Sequence, residues 1–177
     1  MKTINTIEIT EEHLKNEKYN FQQELTEKLD LISSDFDQEI VNQIVLWKVN
    51  RYAEIDNETL SLINTIDRNE SNINESLTTN ILEKLLLTKG VKLAMASTIL
   101  RFKNPKIYQI IDQRVYRLIY GKNIPTYFSN IEKQVSLYLE YLKQLKIICK
   151  EKNINFEQSD RILYQIDKDE NKTIKLK

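Results

Sequence analysis

The sequence predicts an all-α chain, and three observations carry that expectation. Glycine and proline number two each in 177 residues, against an average usage near ~7% for glycine alone. Apolar residues recur at three- and four-residue steps along most of the chain. The strand-like run "IYQII" has no partner strand in sight. Apolar residues make up 41% of the chain, enough for a core. The reading is a single helical body over 1–177 with about eight helices.

The elements follow in order. Across 11–32, Phe21, Leu25, Leu29 and Ile32 mark one helix or two short ones. "SSDFDQE" is a Ser/Asp cluster suited to an N-cap, opening a helix over about 36–52. That helix carries Phe36, Ile40, Ile44, Trp47 and Arg51 on one stripe. Asn57 can cap a short helix with Leu60, Ile63 and Ile66. "DRNESNINES" is polar and reads as a loop, after which Asn74 or Ser76 starts a helix to Thr88. A second apolar run covers Val91 to Phe102, and Asn104-Pro105 ends it, because the residue before proline disfavours helix. "IYQII" has strand-like composition but no partner strand, so it reads as an extended turn or a short helix. Asp112 can cap a helix over Gln113 to Tyr120, ended by Gly121. Ser129 with Glu132 forms a capping box for the longest helix, about 130–151. Asn155 with Gln158 forms another for a helix to about Lys168, and the tail beyond reads as frayed.

Composition excludes several classes. A single cysteine, Cys149, leaves no internal disulfide and no cysteine-based metal cluster; a small buried hydrophobe is its expected role. His13 is the only histidine and lies in a charged stretch, so histidine catalysis and metal binding are not expected. No cofactor is implied. No window reaches ~18 uninterrupted apolar residues, and "MKTINTIEITEEHLK" carries no apolar signal segment, so the expected location is the cytoplasm.

The net charge is zero, but its distribution is uneven. Residues 84–122 hold nine basic residues and one acid, Asp112, a net of +8 that the rest of the chain balances. Such asymmetry predicts an anion-binding face. All four glycines and prolines fall in nearly the same stretch, between 90 and 125. Within it, Lys89-Gly90-Val91-Lys92 interrupts two helical runs. A glycine there can turn backbone N–H groups outward beside a helix N-terminus, which is a phosphate site, and flanking lysines add charge-assisted contacts. On spacing alone the stretch reads equally as a C-cap glycine between core helices.

The segment "TKGVKLAMASTIL" resembles the helix-hairpin-helix element of the DNA glycosylase superfamily that includes endonuclease III. "YQIIDQRVYRLIYG" is similar to that superfamily's aspartate-bearing stretch, and the likeness spans roughly 80–121. "IVLWKVNRY" and "SDRILYQID" are similar to segments of a small bacterial branch carrying the same hairpin. The resemblance implies a helical body with a cleft between two lobes. Lys89, Gly90, Val91 and Lys92 would grip one strand of DNA, expected as duplex, by its phosphates. Asp112 would be the catalytic carboxylate facing an extruded nucleotide. A carboxylate can stabilise an oxocarbenium-like sugar and orient an attacking water, once the base has left the stack.

The sequence departs from the pattern at two points. Lys92 replaces the second glycine of the hairpin. Ala94, eighteen residues before Asp112, stands where lyase members carry lysine, so Schiff-base chemistry of that type is lost; whether the chain is an enzyme stays open, and if active it would be monofunctional. Lys84 sits one residue out of register with the lysine of the oxoguanine-specific branch. Arg101 and Arg114 belong to the basic face. Trp47, Lys48 and Arg51 form a further cluster that reads either as an aromatic and cationic nucleotide contact or as core. The tyrosines between 108 and 141 can stack bases, although helical spacing favours the core. The functional expectation is a DNA-binding protein related to base-excision glycosylases. The alternative is a non-catalytic DNA- or protein-interaction module on the same scaffold.

Overall fold

The computed structural model describes residues 1–15, 23–49 and 55–174. Phe21, Arg51 and the side chain of Leu25 lie outside what is described. Among the described residues all regular structure is helical. It comprises α1 (Glu11–Lys15), α2 (Gln23–Asp30), α3 (Gln38–Val49), α4 (Asn57–Asn64), α5 (Glu75–Leu87), α6 (Leu93–Lys103), α7 (Gln113–Tyr120), α8 (Ile131–Glu151) and α9 (Ser159–Glu170). Two short 3-10 turns, Ile4–Thr6 and Phe156–Gln158, complete it. The chain has an all-α fold, and no described helix is long and apolar enough to cross a membrane.

Short polar side chains set the helix starts. Asp37 Oδ1 accepts from the Ile40 N–H at 2.9 Å, Asn74 from Leu77 at 3.0 Å and Asp112 from Arg114 at 2.8 Å, each satisfying a donor the helix itself leaves open. Two caps lie one residue from their expected places. Asp56, not Asn57, takes the Thr59 N–H. Asn130, not Ser129, takes the Lys133 N–H. In both pairs an Asp or Asn adjacent to the predicted position makes the bond, because its side-chain oxygen is the one three residues before the open N–H. Asn155 caps the 3-10 turn that leads into α9 rather than α9 itself.

Helix α6 is the centre of the packing, touching α3, α4, α5 and α8. It is buried from Met95 to Lys103 without interruption, as expected of a helix surrounded on all sides. Helix α7 packs on α9 and on the N-terminal 3-10 turn. The segment Ile107–Ile111 is wholly buried: Ile107 ends the turn that follows α6, residues 108–111 have no regular structure, and no strand is found among the described residues. Side chains from three helices satisfy it. Tyr138 donates to the Gln109 carbonyl at 3.0 Å, Tyr141 to the Ile110 carbonyl at 2.8 Å, and Ser97 Oγ accepts from the Ile111 N–H at 3.2 Å. Tyr108 exchanges a 2.8 Å hydrogen bond with Thr78. Buried backbone groups need partners, and here tyrosines on α8 do what a second strand would do elsewhere. Desolvation holds the Tyr138 and Tyr141 phenols well above their ordinary range. The segment leads directly into Asp112, so these bonds also fix the start of α7.

The tail is not frayed through Ile174. Arg117 Nη1 donates to the Ile174 carbonyl at 2.9 Å. The buried Asn171 amide exchanges two 2.9 Å bonds with the Lys2 backbone, tying the two ends of the described chain together. Cys149 is buried as expected, and burial pushes its thiol up to about 11.

Candidate functional site

Gly90 has φ of +87°, a left-handed conformation that glycine adopts without a side-chain penalty. It forms part of the turn 88–92 between α5 and α6, closed by a 3.1 Å bond from the Val91 N–H to the Thr88 carbonyl. Val91 turns inward and is buried, while Lys89, Gly90 and Lys92 are exposed. Lys92 is the N-cap residue of α6, and its side chain makes no cap bond. The first-turn N–H groups of α6 are therefore open to an outside acceptor.

Asp112 lies across a cleft from this turn. A cavity of ≈ 490 Å³ is lined by Val91, Lys92 and Ala94 on one side and by Asp112 and Gln113 on another. Its remaining wall comes from the loop between α7 and α8, including Pro125, Tyr127 and Phe128, and from Gln134 on α8. The volume falls within the ~300–1,000 Å³ usual for small-molecule sites. Asp112 Oδ1 caps α7, while Oδ2 is 3.8 Å from Lys48 Nζ on α3. The carboxylate is partly exposed, so one oxygen is fixed by the backbone and the other remains within reach of the cleft. Gln113 Oε1 accepts from the Ile124 N–H at 3.0 Å, which anchors the aromatic loop at the same helix start.

Several other candidates are structural. Trp47 is buried, its indole N–H donating to Thr26 Oγ1 at 2.5 Å and its ring edge-on to Phe102 at 5.4 Å. It is a core residue, not a surface on which a nucleotide could stack. Arg101 is also buried. It pairs with Asp30, approaches Asp160 at 3.5 Å and donates to the Glu157 carbonyl at 3.1 Å. Arg114 is half-buried, bonded to Asp167 at 3.3 Å and seated 5.5 Å over the Tyr164 ring. Lys84 points to Glu58 on α4 at 2.8 Å, away from the candidate chemistry. His13 is half-buried and caps the start of α1 by accepting from the Thr10 N–H. Among the described residues, no group of acids, histidines or cysteines could hold a metal.

These positions correct the simple reading of the +8 segment. Arg101, Lys103, Arg114 and Arg117 turn inward onto Asp30, Asp35, Asp160 and Asp167, all outside the segment. The charge asymmetry is thus largely a record of ion pairs that join distant parts of the chain. Lys89, Lys92, Lys106 and Lys122 remain exposed, and only Lys89 and Lys92 belong to the turn. Of the aromatic loop and its neighbour on α8, Phe128 and Gln134 were not among the expected site residues, and Tyr127 was covered only by the expectation that tyrosines between 108 and 141 can stack bases. The loop's sequence signal was two adjacent aromatics in an otherwise loop-like stretch following Pro125.

Comparison of the chain with protein-family models, curated proteins and solved structures finds no match.

Proposed function

We propose that this protein binds DNA through the α5–α6 turn and is related in mechanism to base-excision DNA glycosylases, with Asp112 as the acidic residue of the cleft. One observation carries the reading: the exposed Lys92 and the Asp112 carboxylate line the same ≈ 490 Å³ cavity. On this reading the backbone N–H groups at the start of α6, together with Lys89 and Lys92, hold strand phosphates. A nucleotide held there presents its sugar to Asp112. The carboxylate then stabilises positive charge developing on that sugar and orients water for attack. Ala94, in the cleft lining, carries no amine at the position where the lyase members have lysine, which removes the imine route of that type.

The test is base release from duplexes carrying uracil, oxoguanine or an alkylated base, comparing wild type with Asp112→Asn. Asparagine caps a helix about as well as aspartate, so the substitution keeps α7 and removes only the charge. The expected result is release from at least one substrate, reduced about 100-fold or more in the variant. Full activity in Asp112→Asn rules out its catalytic role. The non-catalytic alternative is supported by the same Oδ1 cap bond, which gives Asp112 a purely structural use. DNA binding without base release from any of the three duplexes favours that alternative.

A further inference from the structure

Resting on the DNA reading above, we propose that the cleft takes an unpaired nucleotide whose base stacks on Tyr127, so that single-stranded DNA is preferred over fully paired duplex. Three observations lead there. Tyr127 is 82% exposed on the loop joining α7 and α8, and it lines the cavity opposite the α5–α6 turn. The other tyrosines near it in sequence are used by the core: Tyr108, Tyr116, Tyr138 and Tyr141 are buried, and the half-buried Tyr120 packs on Tyr116 at 4.4 Å. Tyr127 is the exception, a large ring in solvent at the mouth of a cleft. Such rings serve as sequence-tolerant platforms, because every base has a π-face.

The second observation is the small number of cations. Duplex DNA carries a charge every ~1.7 Å of its axis, and duplex binders often neutralise ~6–10 phosphates. Here the turn offers two exposed lysines, Lys89 and Lys92, since the arginines of the same segment are spent on internal acids. Two phosphate contacts suit a short stretch of one strand. The third observation is the lining. Gln113, Thr126 and Gln134 bring amide and hydroxyl groups to the cavity beside Tyr127. These groups can donate to and accept from the edge of a base that has no pairing partner. Phe128, half-buried in the same wall, adds apolar surface. The anchor from Gln113 to Ile124 holds the loop at the start of α7, so the platform and Asp112 are set by one helix end. This departs from the duplex expected from sequence, because Arg101, Arg114 and Arg117, expected to add to the basic face, pair with acids from elsewhere in the chain.

The experiment measures fluorescence anisotropy with a short labelled oligonucleotide, once single-stranded and once as its paired duplex. Wild type, Tyr127→Ala, Tyr127→Phe and the Lys89→Glu, Lys92→Glu double variant are compared. The expected result is tighter binding of the single strand, by about tenfold, with a logarithmic salt slope near about −1.4 for two contacts. Tyr127→Ala should weaken single-strand binding about 5- to 150-fold and leave duplex binding unchanged. Tyr127→Phe should bind as wild type, because stacking needs the ring and not the hydroxyl. Equal or tighter binding of the duplex overturns the proposal, as does unchanged single-strand binding by Tyr127→Ala. If the charge reversal abolishes binding while Tyr127→Ala does not affect it, the stacking proposal alone fails. If no DNA binds, or the charge reversal has no effect, the DNA reading itself fails with it.

Discussion

Asp167→Ala will lower the unfolding free energy by about 3–5 kcal/mol, the usual cost of breaking a buried ion pair from one side. Asp167 has no solvent exposure, and its carboxylate accepts from four donors. Arg117 Nε and Nη2 each approach at 2.7 Å, Asn171 Nδ2 at 3.0 Å and Arg114 Nη1 at 3.3 Å. Arg117 is itself fully buried. Without Asp167 its guanidinium keeps only the Ile174 carbonyl, which bears no full charge. The loss falls on the α7–α9 contact and on the clasp through Asn171 to Lys2. Urea denaturation followed by circular dichroism measures it. A loss under about 1 kcal/mol, typical of an exposed pair, would contradict the assignment. Replacing both partners with apolar residues of similar volume should be far milder, because no charge is then stranded.

Lys89→Glu combined with Lys92→Glu will weaken DNA binding by at least about tenfold and flatten its salt dependence. Both side chains are exposed at the turn, and among the described residues neither pairs with an acid. Lys89 is an exposed turn residue, where substitutions change stability by roughly 0.5 kcal/mol or less. Lys92 is the N-cap of α6 but makes no side-chain cap bond, and a carboxylate is favourable at a helix N-terminus, so a loss of affinity reports the interface and not the fold. The phosphate slope falls by about one for each contact removed. Binding measured at several salt concentrations separates this from a sequence-reading defect, which leaves the slope intact. Charge reversal that leaves affinity and slope unchanged means the turn does not hold phosphate.

The fold was legible wherever a local rule decides it. Asp112 caps α7 and Gly121, at φ +68°, ends it; both were readable because capping depends on residues within one turn. The break at Gly90 was readable for the same reason. The run Ile107–Ile111 was readable as a segment without a strand partner, but not the tyrosines that satisfy it, which lie about thirty residues away. The interior cations were illegible on the same principle. Nothing near Arg101 reveals that Asp30 and Asp160 will meet it, so a basic run that folds inward looks like a basic surface. Trp47 had equal claims to core and surface until Thr26 and Phe102 were in place. The tail read as frayed because its anchor, Arg117, is 57 residues distant. Of the candidate site, the turn at Gly90 and the cap at Asp112 were readable from local residues, while their use as a site rested on the resemblance and not on spacing. The aromatic wall needed the loop's position against the cavity, which no local pattern encodes.

If the turn at Gly90, the start of α7 and the loop carrying Tyr127 form one nucleic-acid site, amide chemical-shift mapping of the isotope-labelled protein, titrated with a short DNA strand, will show it. The largest changes are expected at residues 89–94, 112–114 and 126–128, while the interior around Arg101 and Trp47 stays still. Changes concentrated on another face, or none at saturating DNA, would contradict it.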